Sequence, residues 1–264
     1  MEVWRDSWNT SVEYGEVFYR RATGELPEME SSKALALLLK DRVKQDDHIL
    51  DVGCGGGHYL RSLRNTVNVS FRYTGVDITA SYIDLAKKAW KDAPDVSFSV
   101  EDIYNLSFSD QQFDIVLCSN MLYHLPSIKN PISELIRVSK NLVVLRTLVG
   151  ERSFYIKEVH SSLWDQHSTV APSSEFNESG EPENYNYLNI YSKKYLESIV
   201  KEHNPNAKIE FIEDTFYDPE VIEGSSSVIS DLQRSKAATY ILGGLQVIGY
   251  VIQPHHFVFI DTVR

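Results

Sequence analysis

Cysteine is scarce in this chain: Cys54 and Cys118 are the only two among 264 residues. Both fall in apolar or glycine-rich strand-end contexts, so two buried thiols account for them, and neither a disulfide framework nor a cysteine metal centre is expected. Positive charge is also in deficit, with 26 Lys and Arg against 37 Asp and Glu and a net charge of −11. An acidic surface repels phosphate backbones, and no basic stripe interleaved with aromatics is present, so no nucleic-acid partner is expected. No apolar run approaches the ~20 residues of a membrane-spanning helix. The first residues, Met1 to Asp6, lack the basic region and apolar core of a secretory signal. These absences suggest a cytoplasmic protein without a membrane partner. No cluster has convincing metal-ligand spacing, and there are no internal repeats.

What remains is ordinary for a globular protein, 42% apolar and 24% charged, and the length suits one α/β domain with insertions. Apolar runs at 48–53, 71–76, 96–100, 113–118 and 142–148 read as strands. Helices at about 57–66, 80–91 and 129–140 lie between them, with Thr79 a plausible cap for the second. This alternation implies parallel strands joined by crossover helices. Ser31 or Ser32 could cap an earlier helix running to about Gln45, with Leu35, Leu38, Leu39 and Val43 on its buried side. An aromatic and polar segment before it, including Trp4, Trp8, Tyr14 and Phe18, fits a helical arm. After residue 150 the regularity breaks. Residues 168–186 and 218–236 read as exposed polar segments. Between them, Tyr191 to Glu202 reads as a helix capped by Ser192, and Lys208 to Phe216 as a strand. The tail from Tyr240 to Val263 carries two strong β-forming runs.

Residues 49–57, Ile-Leu-Asp-Val-Gly-Cys-Gly-Gly-Gly, carry the most information. An apolar strand ends in an acid, and glycines follow at alternate positions: Asp51, Gly53, Gly55, Gly57. Such a turn lets backbone approach a ligand without side-chain interference. The dinucleotide fingerprint G-x-G-x-x-G is not met, because His58 stands where its third glycine belongs. The pattern D-x-G-x-G-x-G instead resembles the first motif of the class I S-adenosylmethionine-dependent methyltransferases. Three further stretches match in order: Gly75-Val76-Asp77-Ile78, Glu101-Asp102-Ile103, and Phe113-Asp114-Ile115-Val116-Leu117-Cys118-Ser119-Asn120-Met121-Leu122-Tyr123-His124-Leu125.

The resemblance covers about residues 45–150 and implies S-adenosylmethionine as cofactor. It implies a doubly wound, mostly parallel, Rossmann-like α/β sheet with an antiparallel hairpin at the C-terminus, for which either tail run could be the inserted strand. It implies that Asp51, Gly53, Gly55 and Gly57 form the cofactor turn and that Asp77 accepts from the ribose hydroxyls. It further implies that Ile78 covers the adenine, that Asp102 and the Ile103 N–H meet the adenine edge, and that Ser119 and Asn120 lie beside the methionine ammonium. The expected organisation is a single domain over 1–264. It comprises an N-terminal helical arm (1–45), a cofactor-binding core (46–150) and polar insertions at 151–190 and 218–236 that would form a substrate lid.

Methyl transfer from a sulfonium needs alignment and exclusion of water, and a base only when the nucleophile arrives protonated. His124 is the base candidate, because an unperturbed imidazole titrates near neutrality; the alternative is that it packs under its loop and bonds to backbone. His160, His167, His255 and His256 are expected to be surface or structural. Tyr185, Tyr187, Tyr191 and Tyr195 either line a pocket or make ordinary packing contacts. The acceptor expected is a small-molecule metabolite, methylated on O or N. Alternatives are a sensor or pseudo-enzyme that binds the cofactor, a protein or tRNA methyltransferase, and a nicotinamide dehydrogenase, which His58 disfavours. The oligomeric state is not legible.

Overall fold

The computed structural model describes residues 12–159, 176–182, 185–215, 240–242, 245–248, 251–252 and 255–263. Trp4, Trp8, His160, His167 and the 218–236 insertion lie outside them.

Two helices come first, α1 (Val12–Thr23) and α2 (Glu30–Leu39). A regular alternation follows: β1 (His48–Val52), α3 (His58–Thr66), β2 (Arg72–Asp77), α4 (Ala80–Ala89), β3 (Val96–Val100), β4 (Phe113–Ser119), α5 (Lys129–Val138) and β5 (Ser139–Gly150). The later elements are β6 (Lys157–Val159), β7 (Tyr185–Tyr187), β8 (Tyr191–Ser192), α6 (Lys193–His203), β9 (Lys208–Glu213), β10 (Tyr240–Leu242), β11 (Leu245–Ile248), β12 (Val251–Ile252) and β13 (His255–Asp261).

The main sheet runs β3-β2-β1-β4-β5-β13-β9, with β8 paired to the end of β5. Strands β3 through β5 are parallel, and β13 is antiparallel to both neighbours. The inserted antiparallel strand is therefore the last run of the tail. The earlier run forms a separate antiparallel sheet, β10-β11-β12. The central strands carry apolar residues on both faces because helices cover both. Leu50, Val116, Leu145 and Val258 pack on one side with α5 and α6. Ile49, Leu117, Val144 and Phe257 pack on the other with α2, α3 and α4. The chain winds outward from β1 through β2 to β3, then returns to place β4 on the other side of β1. That reversal opens a crevice above the carboxyl ends of β1 and β4, the usual ligand position in such sheets.

Several expectations shift in detail. The helix after Ser31 ends at Leu39 rather than near Gln45, and its N-cap is Met29. Ser31 and Ser32 lie inside it, where Ser31 Oγ sits 2.9 Å from Tyr59 Oη and Ser32 Oγ 2.8 Å from Ser62 Oγ. The serines thus join α2 to α3 instead of capping α2. Thr79 does hold the N-cap position of α4, but its side chain makes no cap bond. Ser192 does cap α6, accepting from the Tyr195 N–H at 3.2 Å. Tyr187 and Tyr191 are buried in the apolar core, and Tyr191 packs against Tyr195 at 6.1 Å, so these tyrosines make packing contacts. Both cysteines are free and buried. Among the described residues, no helix is long and apolar enough to cross a membrane.

Candidate functional site

The glycine turn connects β1 to α3. Gly53, Gly55 and Gly57 all have positive φ, at 79°, 53° and 73°. Gly57 is the N-cap of α3, and that left-handed conformation suits a residue without Cβ. The Gly53 and Cys54 N–H groups both donate to the Val76 carbonyl, at 2.8 and 3.0 Å, which holds the turn against the end of β2.

Asp77 closes the same corner. Its carboxylate accepts from the Gly55 N–H at 3.0 Å and from the Thr79 N–H at 2.9 Å. Burial pushes its pKa up, and these N–H donors pull against that shift. Ile78, the next residue, is 41% exposed and projects at the strand end. Asp51 lies deeper. It is buried and accepts from the Tyr73 hydroxyl at 2.6 Å, while burial pushes its pKa up to about 7. Asp102 accepts from the Tyr104 N–H at 3.0 Å and so shapes its own turn, and Ile103 is buried in the core.

At the end of β4, the Ser119 hydroxyl is buried without a hydrogen-bond partner among the described residues. Asn120 takes a left-handed φ of 60°, and its N–H donates to the Arg146 carbonyl at 2.9 Å. Its side chain belongs to a buried polar network that sequence reasoning missed. Asn120 Nδ2 donates to Tyr59 Oη at 3.1 Å, and Asn120 Oδ1 accepts from Arg146 Nη1. Arg146 in turn donates through Nε and Nη2 to Asp214, at 2.8 and 2.5 Å. Arg146 and Asp214 are 2% and 4% exposed in their side chains, so the pair is fully removed from water. The available signal was a lone arginine in the apolar run Leu142 to Val149, since a buried charge needs a partner.

His124 ends a short 3-10 turn, Leu122–His124. Its Nδ1 lies 2.9 Å from the Tyr187 carbonyl, which can only accept, so Nδ1 carries the proton. Burial lowers its pKa to about 4. His255 and His256 are both buried at the start of β13 rather than on the surface, and the His255 ring lies 6.0 Å from that of Tyr123.

The site is roofed by α1. The Phe18 ring stacks on His58 at 4.6 Å and meets Tyr82 edge-on at 5.8 Å. A Cβ placed on Gly55 would come within 2.9 Å of Phe18 Cδ2. The structure thus brings Asp77, the glycine turn, Ile78, Ser119 and Asn120 around one crevice, with Asp51 beneath it and Asp102 at the end of β3.

The buried histidines give the protein a pH dependence. His58 is pushed down to about 3, His124 to about 4 and His255 well down, in each case chiefly by burial. Below about pH 6.5 the unfolded chain binds protons that these rings refuse, so their contribution to stability is lost as pH falls. Asp51, Asp77 and Asp47 act oppositely, since burial raises their pKa values and lets the native state hold protons that the unfolded chain releases. His48 is lowered by burial as well, so four lowered histidines stand against three raised carboxyls, of which Asp51 is pushed as far as about 7. Stability should fall from pH 7 to pH 5, by roughly 1.4 kcal/mol per pH unit for each excess proton bound by the unfolded chain. Urea midpoints at the two pH values test this, and an unchanged or higher midpoint at pH 5 contradicts it.

The methyltransferase domain family matches residues 49–141. The chain is 39% identical over 80 residues to the ubiquinone biosynthesis O-methyltransferase of Coxiella burnetii, covering 30% of this chain and 33% of that protein. It is 30% identical over 169 residues to a protein of Aspergillus luteorubrus named "Probable methyltransferase ltbC", covering 56% of each. A SAM-dependent methyltransferase from Methanosarcina mazei shares the fold, with a TM-score of 0.53 and 19% identity over 86% of this chain and 97% of that one. The chain spans about a third of the length of the curated relatives it matches first.

Proposed function

For a chain that belongs to the class I S-adenosylmethionine-dependent methyltransferases, we propose the transfer of a methyl group to O or N of a small-molecule metabolite, in the cytoplasm. The observation that carries this reading is the convergence of the glycine turn, Asp77 and Asn120 at the sheet's switch point. S-adenosylmethionine, when bound, supplies a methyl group already activated on a positively charged sulfur.

The residues present suit that cofactor. Asp77 offers two carboxylate oxygens, matching a vicinal diol, and they are now spent on backbone N–H groups. Ile78 is exposed where an adenine face would lie, and Asp102 and Ile103 would serve its edge. Ser119 Oγ has no partner among the described residues, and Asn120 is held by Arg146 and Tyr59. Asp51, locked by Tyr73, supports the turn of Gly53, Gly55 and Gly57 from below. Alignment and exclusion of water are what these elements can contribute. For His124, the carbonyl contact and the lowered pKa support a positional role in the loop over proton transfer.

The single-domain organisation over 1–264 belongs to the same proposal, with 151–190 and 218–236 as the substrate lid. The β6-β7 pairing supports it, because it joins the two described ends of the first insertion beside the loop of His124. The similarity to a quinone-pathway O-methyltransferase supports a small-molecule acceptor.

Asp77→Ala tests the cofactor site. It should weaken S-adenosylhomocysteine by roughly 1.5–3 kcal/mol, the scale of hydrogen bonds to a charged group. Calorimetry giving unchanged affinity in a folded variant would remove Asp77 from the site. Formation of S-adenosylhomocysteine with a metabolite panel tests the reaction; cofactor binding without turnover on any acceptor would favour a cofactor-binding sensor.

A further inference from the structure

Among the described residues, three besides glycine have positive φ: Asp46, Gln111 and Asn120. The first two are exposed. Asn120 stands at the crevice, one residue past β4, at φ 60°. A left-handed residue with a side chain persists where its surroundings fix it, and such residues gather at functional sites. Asparagine tolerates this conformation better than most residues, so the angle alone decides little. What Asn120 is tied to decides more.

Three contacts from two elements hold Asn120. Its N–H donates to the Arg146 carbonyl at 2.9 Å, its Oδ1 accepts from Arg146 Nη1, and its Nδ2 donates to Tyr59 Oη at 3.1 Å. Ser31 Oγ lies 2.9 Å from the same tyrosine hydroxyl. Asp214 fixes the guanidinium in turn, taking Nε and Nη2 on a single oxygen. The Asp214 N–H donates to the His255 carbonyl at 2.9 Å. A chain of polar contacts therefore runs from the end of β9 through β5 to the end of β4, and on to α3 and α2.

Stability is a poor reason for this chain. A buried ion pair gains little over apolar residues of the same volume, because desolvation offsets the attraction. From Leu142 to Val149 the strand is otherwise apolar apart from Thr147, so a methionine or leucine in place of Arg146 would match its neighbours. What an apolar pair cannot supply is direction. The guanidinium is planar and its donors leave at fixed angles, so a carboxylate that sets the plane also sets where Nη1 points.

We propose that Arg146 is a positioning residue for methyl transfer, oriented by Asp214 and acting through Asn120, whose left-handed conformation it fixes at the end of β4. Ser119 and Asn120 form the wall along which the reactive end of the cofactor aligns. In-line displacement tolerates little misplacement, so a loosened Asn120 costs alignment even where the fold is kept. This inference rests on the cofactor reading above.

The test uses Arg146→Met together with Asp214→Leu, which removes both charges at once. This double variant should recover much of the stability in urea that either single change loses. Its affinity for S-adenosylhomocysteine, read by calorimetry on the full chain, should still be weaker by about tenfold, through lost preorganisation. S-adenosylmethionine labelled at its methyl group with the magnetic carbon isotope supplies a spectroscopic readout. It should give one narrow methyl resonance bound to the unaltered protein, and a broadened or split one bound to the double variant. Asn120→Ala leaves the ion pair in place and should weaken S-adenosylhomocysteine to a similar degree. Adding the Arg146 and Asp214 changes to it should cost less than about twofold more, because groups acting through one contact are not additive. If the double variant does not fold, Asn120→Ala and Tyr59→Phe carry the test, each by weakened binding and a broadened methyl resonance. A stable double variant that binds both ligands as the unaltered protein does makes the pair structural only and overturns the proposal. Full additivity with Asn120→Ala, or parental affinity in Asn120→Ala itself, overturns it as well and leaves the cofactor reading intact. Unaltered protein that binds neither ligand overturns the cofactor reading and this inference with it.

Discussion

Asp214→Ala is expected to destabilise the protein by about 3–5 kcal/mol, the usual cost of leaving one member of a buried ion pair alone. Arg146 would keep its charge in a site only 2% exposed, with Asn120 Oδ1 as its remaining side-chain acceptor among the described residues. The loss should extend to the crevice. Arg146 braces Asn120 through both its side chain and its carbonyl, so a displaced guanidinium frees the residue that ends β4. Replacing both partners, Arg146→Met with Asp214→Leu, should recover much of the stability, since a buried pair is often no better than apolar residues of similar volume. Urea unfolding of the single and double variants measures this. A single variant within about 1 kcal/mol of the parent would mean that water or another acid reaches Arg146, at odds with its burial.

The second large effect is expected at Gly55. Gly55→Val places a β-branched side chain at φ 53°, a conformation that such residues rarely adopt. The new Cβ would also press on Phe18 Cδ2 at 2.9 Å. Strain of roughly 1–3 kcal/mol should appear in stability. Affinity for S-adenosylhomocysteine should fall by about a hundredfold or more, ~2.8 kcal/mol, because the turn is both cradle and seat for α1. Phe18→Ala separates the two causes. If the clash with Phe18 dominates, adding Phe18→Ala to Gly55→Val should recover part of the lost stability; if the left-handed φ dominates, it should recover none. A valine variant that binds like the parent would reduce the glycine to a structural bend.

Much of the fold was legible because it is written in local pattern. Buried parallel strands appear as apolar runs, and β1, β2, β3, β4 and β5 lie where those runs do. Glycines at 53, 55 and 57 marked a turn that only residues without Cβ form easily. The organisation of 1–264 as one domain, and the roles of the site residues, were expected from motif order and stand as proposals. Boundaries were less legible. The helix expected to reach about Gln45 stops at Leu39, and the chain then turns through Asp46 at φ 66° to enter β1. Of the two tail runs, each with the same β character, only pairing could tell that His255–Asp261 enters the main sheet.

The sequence by itself determined the class of fold, the glycine turn and the acids at the strand ends, because backbone permissiveness and hydrophobic period are properties of neighbouring residues. Only the tertiary structure decided where the polar groups find partners. Ser31 meets Tyr59 across 28 positions and Arg146 meets Asp214 across 68. No spacing rule encodes such pairs; each exists because burial strips water from both groups and leaves them each other.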